Sequence, residues 1–151
     1  MLERVNTAED FPADKFAHRT MARTVVFQIL YQEELNPGSM EHLSESFIAK
    51  ELPRHEQLIT FAKQLLNSLR EHRDVIDEQL AALSQNWTLV RMSPTDRSIL
   101  RLSGAEILYT DTPKSVAINE AVELAKKFGT KDSPSFVNGI LDKVRPPSLD
   151  T

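Results

Sequence analysis

The sequence contains no cysteine. Disulfides, thiolate nucleophiles and Cys-based metal sites are therefore excluded, and no secretory framework is suggested. Glycine is scarce, with 4 in 151 residues, and aromatics make up only 7%. Four scattered glycines cannot build a phosphate-cradling loop, and such a composition argues against a fold rich in strands and turns. Long apolar runs are missing as well. The stretch MLERVNTAEDFPADKF has no apolar signal core, and nothing after it approaches a membrane span. The expected location is cytoplasmic, with no membrane partner. Positive charge is not in excess: 18 Lys and Arg stand against 22 Asp and Glu, a net charge of −4. The chain as a whole repels nucleic acid, so any RNA or DNA binding must come from a local patch.

What is present is helical periodicity. With 40% hydrophobic and 26% charged residues, the composition is that of one ordinary globular domain. Residues 1–12 lack apolar periodicity and read as a flexible arm, and 13–147 read as a single domain. Asp14 can cap a first helix, in which Ala22, Val25, Val26, Ile29 and Leu30 form an apolar stripe that Asn36-Pro37-Gly38 ends. Ser39 can cap a second, running to about Leu52 before Pro53. Leu58, Phe61, Ala62, Leu65, Leu66 and Leu69 define a third. Ile76, Leu80 and Leu83 define a fourth, which the polar stretch REHRD either separates from the third or joins to it. Ser93, Pro94 and Asp96 combine a capping side chain, a first-turn proline and an early acid, and so start a fifth helix with Ile99, Leu100, Leu102 and Ile107. Pro113 opens a sixth, with Phe128 near its end, and Gly129 stands where a left-handed cap residue would. Ser133 and Pro134 repeat the cap-and-proline start before the last stripe, Val137, Ile140, Leu141 and Val144. The expected fold is all-α, a compact bundle of about seven helices joined by short loops.

Catalytic signals are weak. Histidines occur at 18, 42, 55 and 72 with no metal-ligand spacing, and nothing selects a carboxylate pair. No catalytic residue, metal or cofactor is expected. Binding features are better defined. Arg19 and Arg23 lie in the early turns of the first helix, with Tyr31 further along, and these form either a solvated face or a binding surface. Lys131 and the free N–H groups at the start of the last helix offer an anion site, though the same residues can simply cap. Phe136 lies about 100° from Val137, at the flank of the last stripe. Its ring either stacks on an unpaired base or widens the core. Gly139 costs about 1 kcal/mol against alanine in an exposed helix interior, which close approach of a neighbouring helix would explain.

Three ordered blocks carry a family resemblance: ARTVVFQILYQEEL at 22–35, NWTLVRMSPTDRSILRLSGAEILY from Asn86, and VAINEAVELAKKFG followed by a Ser-capped FVNGILDKV. In these the chain resembles the NusB transcription antitermination family. The resemblance implies an all-α, non-enzymatic factor that binds the boxA element of ribosomal RNA leader transcripts, a single-stranded RNA. It implies action together with the ribosomal small-subunit protein NusE, in the antitermination complex of RNA polymerase, and some members of the family are dimeric. Matched position by position, it implies RNA contact by Arg19, Arg23, Tyr31, Arg101, Asp132 and Phe136, beside Lys131, and assigns Asp96 to the NusE face. Asp132 is an odd partner for phosphate. Its carboxylate can instead accept from a base amino or imino group, or cap the last helix.

The match departs from the family pattern in places. Thr20 and Met21 stand where further arginines are common, and Gly104-Ala105 replaces a bulkier pair. Together with the net negative charge, this supports an alternative: a NusB-like protein-interaction scaffold with weakened RNA binding. A similar helical domain also precedes a ribosomal RNA cytosine methyltransferase, but without a cysteine nucleophile no such activity is expected.

Overall fold

Apolar stripes at helical spacing become six α-helices. The computed structural model describes residues 19–84 and 89–146. The arm at 1–12, Asp14 and Trp87 lie outside the described residues. The helices are α1 (Thr20–Leu35), α2 (Ser39–Glu51), α3 (Glu56–Leu83), α4 (Pro94–Tyr109), α5 (Lys114–Phe128) and α6 (Ser133–Leu141), with a 3-10 turn at Leu89–Arg91 before α4. No strand occurs among the described residues. The third and fourth expected helices are one: α3 runs through REHRD and breaks only at His72, whose φ of −121° and ψ of 22° are not helical. The break falls where the apolar stripe pauses between Leu69 and Ile76. There the His72 ring stacks on Tyr109 of α4, with centroids 4.0 Å apart.

The stripes converge on one core. Ala22, Val26, Phe61, Leu65, Ile99, Leu100, Ala125 and Leu141 are all fully enclosed. Helix α4 is the central element, packing against α1, α3, α5 and α6. Gly104 lies at the contact with α3, where a Cβ would stand 3.4 Å from Cγ2 of Ile76, an ordinary packing distance.

Helix ends follow local chemistry, with corrections. Ser93 caps α4 as its spacing predicts, its Oγ accepting from the Asp96 N–H at 3.1 Å. Ser39 does not cap α2. It is the first helical residue, preceded by Gly38 at φ +98°, and the Glu33 carboxylate accepts from the Gly38 and Met40 N–H groups instead. Gly129 is extended rather than left-handed, at φ −97°. The reason for glycine there is space: a Cβ would stand 2.5 Å from Ser133 Oγ. That hydroxyl caps backwards, accepting from the Thr130 N–H at 3.0 Å, and Asp132 is the residue that precedes α6. At the other end of α6, Lys114 Nζ donates to the Asp142 and Val144 carbonyls at 2.7 and 2.8 Å. Desolvation, with Arg145 nearby, pushes the Lys114 ammonium below the usual lysine range.

Candidate nucleic-acid interface

Position on a helix decides which cations can reach a ligand. Arg23 shares the spacing of Val26, Phe27 and Leu30, and so falls on the buried side of α1. Its side chain is 1% exposed. Nε donates to both Glu106 oxygens at 2.9 and 3.0 Å, and a terminal nitrogen donates to Oε2 at 2.6 Å. Glu120 stands 3.5 Å from the same guanidinium. The expectation that Arg23 meets RNA is therefore corrected: burying its charge is tolerable because Glu106 satisfies it, and that pairing leaves no face toward solvent. Glu106 itself sits on the stripe of Ile99 and Leu102, so it too is enclosed.

Arg101 is corrected on the same ground. Nε and one terminal nitrogen donate to Asp77 at 2.9 and 3.1 Å, and the other donates to Glu34 at 2.6 Å. Arg97 joins this network, donating to Glu34 and to the Leu89 and Met92 carbonyls. The Arg97 hydrogen bond, aided by the charges of both arginines, holds the Glu34 carboxyl below the usual carboxylate range. The network ties α1, α3, α4 and the 3-10 turn together.

Arg19 lies at the mouth of α1, its guanidinium 4.0 Å from the Phe61 ring centre and 3.4 Å from Asp111. The two ends of α1 face different neighbours. Thr20 donates to Glu120, while the Phe27 and Phe128 rings lie 4.9 Å apart, so α1 and α5 run parallel. The Arg19 end and the loop after Phe128 are thus separated by roughly 12 Å of helix rise, eight residues at about 1.5 Å each. The Thr20–Glu120 contact sets the start of α1, next to Arg19, against the middle of α5, and Lys131 stands in the loop after the end of α5. It is the middle of α1, at Phe27, that meets that end.

The α5–α6 connection does present a site. Lys126, Lys127, Lys131 and Asp132 are exposed, and Phe136 is half-buried, resting on the core with part of its ring outward. The Lys127 ammonium lies 5.4 Å from the Phe128 ring centre. Phe136 thus combines both readings that its spacing leaves open. Asp132 makes no side-chain cap bond, so its carboxylate is presented outward. Exposed cations on the same connection as a partly open ring and one carboxylate suit a strand with unpaired bases: lysines can meet phosphates, the ring offers a stacking surface, and the carboxylate can accept from a base edge. The bland reading of Gly139 fails. Apart from its chain neighbours and the nearby backbone of its own helix, no atom of the described residues lies within 4 Å of where its Cβ would stand.

A second feature has no counterpart in the sequence reading. Between α1 and α2 opens a cavity of about 560 Å³ walled by Phe27, Tyr31, Met40, Leu43, Phe47 and Phe128. Leu43 is 48% exposed at its rim. Tyr31 therefore belongs to this groove, its ring centroid 6.0 Å from that of Phe27. Thr95, next to Asp96, lines it too. Asp96 is half-buried, with Oδ1 shielded and unpartnered among the described residues. The signal for the groove was the apolar residues left over from the core stripes, Met40, Leu43 and Phe47. No group of side chains able to hold a metal ion, and no helix long and apolar enough to cross a membrane, occurs among the described residues.

Comparison with known proteins bears on the family and the fold. Residues 20–146 match the model of the NusB family. The chain is 42% identical over 127 residues to the transcription antitermination protein NusB of Geobacter sulfurreducens, covering 83% of this chain and 92% of that one. With the Desulfitobacterium hafniense protein of the same name it shares 43% over 129 residues, 83% of this chain and 86% of the other. Among solved structures, T. maritima NusB superposes with a TM-score of 0.73 at 33% identity, over 83% of this chain and 89% of that one. A crystal structure of the antitermination factors NusB and NusE in complex with double-stranded RNA superposes with a TM-score of 0.74 at 25% identity, over 85% and 96%.

Proposed function

The chain belongs to the NusB family, and from that premise we propose that it is a cytoplasmic transcription antitermination factor that binds RNA together with NusE. It is not an enzyme. Its RNA target on this reading is the boxA element of ribosomal RNA leader transcripts, read as a single strand within the antitermination complex of RNA polymerase. The observation that carries the reading is the α5–α6 corner, where exposed Lys131 and Asp132 immediately precede α6 and its part-open Phe136 ring. The α1–α2 groove supports a separate protein contact. Its apolar walls suit hydrophobic side chains of NusE, and Asp96 lies beside it. The similar NusB and NusE structure holds double-stranded RNA. A part-open ring favours unpaired bases instead, since a duplex keeps its bases stacked on one another.

The test is equilibrium binding of labelled boxA RNA, of a scrambled strand and of the matching duplex, each with and without NusE. Preference for single-stranded boxA, strengthened by NusE, is expected; equal affinity for all three refutes the boxA assignment. The scaffold reading has one observation in its favour: Arg23 and Arg101 are both spent on internal carboxylates. It predicts tight NusE binding with no measurable RNA affinity in either condition.

A further inference from the structure

Two of the four glycines, Gly38 and Gly129, have a reason within the fold, and Gly104 is packed against a neighbouring helix. Gly38 has φ +98°, Gly104 has Ile76 at 3.4 Å from a would-be Cβ, and Gly129 has Ser133 at 2.5 Å. Gly139 has none of these. It lies inside α6, outside the left-handed region, with open space where a side chain would project. An alanine there would favour the helix, and nothing among the described residues calls for glycine. Its surroundings are specific, however. Within α6, Phe136 and Gly139 fall about 60° apart on one side, with Asp132 just before the helix and Lys143 in the turn after it. Asp132, Gly139 and Lys143 are exposed, and Phe136 is part-exposed.

We infer that Gly139 is a close-approach position for RNA, where the ribose–phosphate backbone of the strand whose base stacks on Phe136 lies against the bare peptide surface of α6. The inference rests on the RNA reading of this corner and names a determinant of affinity within it. Phe136 stands about one turn before Gly139, and exposed Lys143 lies in the turn that follows α6, so a strand leaving the ring along this face crosses bare backbone toward that end of the helix. A methyl group at 139 lifts the strand off this surface. A gap of even about 1 Å forfeits up to half of a dispersion contact, and it displaces the base from the ring in the same movement.

The experiment uses the full chain with NusE and a short fluorescent single-stranded boxA RNA, comparing Gly139→Ala, Gly139→Gln and Phe136→Ala. Both Gly139 variants are expected to raise Tm, the alanine by roughly 2–4 °C. They are expected to weaken RNA binding, about 10-fold for alanine and more for glutamine, without changing NusE affinity measured in the absence of RNA. If Phe136→Ala weakens binding while both Gly139 variants bind as wild type, the close approach is wrong and the RNA reading of the corner stands. If none of the three weakens binding, the RNA reading of the corner falls and the inference with it. Loss of NusE affinity in Gly139→Gln assigns the bare face to the protein partner, and a lowered Tm reveals an internal reason for the glycine; each overturns the inference.

Discussion

Replacing Arg23 by methionine removes a cation from a site where its partner cannot reach water. Arg23 and Glu106 are each 1% exposed and joined by three hydrogen bonds of 2.6 to 3.0 Å. Removing one partner of such a pair costs about 3–5 kcal/mol, because the other charge is left buried and uncompensated. Glu120 adds to the effect, since its carboxylate also stands against this guanidinium, at 3.5 Å. For a domain of this size the loss corresponds to a Tm drop of roughly 6–20 °C. The double variant Arg23→Met with Glu106→Leu removes both charges and keeps the volume apolar. It is expected to recover most of the loss, because a buried pair exchanged for hydrophobic residues is often neutral in net stability. Thermal and urea unfolding of the single and double variants measure this. RNA affinity, read at a temperature where both remain folded, is expected to stay near wild type. A stable Arg23→Met protein that has lost RNA binding would refute the reasoning and return Arg23 to the RNA surface.

Phe136→Ala is expected to lower RNA affinity by about 1–3 kcal/mol through lost stacking, measured by fluorescence anisotropy with the fold checked by circular dichroism. Leu43→Glu at the groove rim is expected to weaken NusE binding while leaving intrinsic RNA binding intact, as calorimetry with each ligand separately will show; equal loss of both contradicts two distinct surfaces. Acid unfolding tests the Glu34 network. Its folded-state pKa lies below the ordinary glutamate value of about 4.3, so the unfolded chain binds the proton first. The stabilisation is complete above that value and is lost as pH falls from it through the lower folded-state value. Glu34→Gln is therefore expected to flatten the acid limb of the stability curve, and an unchanged limb counts against the network.

The helices were legible because their signals are local. Ser93, Pro94 and Asp96 name a helix start within four residues, and α4 begins there with Ser93 as its cap. The stripes at Val25 to Leu30 and Leu65 to Leu69 are buried as their spacing requires. Errors arose where a side chain's partner is distant in sequence. Arg23 looks like a surface cation until Glu106, which lies 83 residues away, is placed against it. A hint was available, since both charged residues fall on apolar stripes, where a charge implies a buried partner. Gly129 was misread because the atom that excludes its Cβ, Ser133 Oγ, belongs to the next helix. The groove escaped notice for a related reason: Phe27, Phe47 and Phe128 come from three helices, and only packing shows that they leave a cavity between them. Lys131, Asp132 and Phe136 were found because one short segment carries all three.

The most direct measurement is ultraviolet crosslinking of single-stranded boxA RNA to the full chain in the presence of NusE, with crosslinked peptides identified by mass spectrometry. Crosslinks are expected on the segment from Lys131 to Lys143, at Phe136 above all, with the peptides of α2 and of buried Arg23 unmarked. Crosslinks concentrated on the α1–α2 groove, with α6 untouched, would contradict the assignment of RNA to the α5–α6 corner.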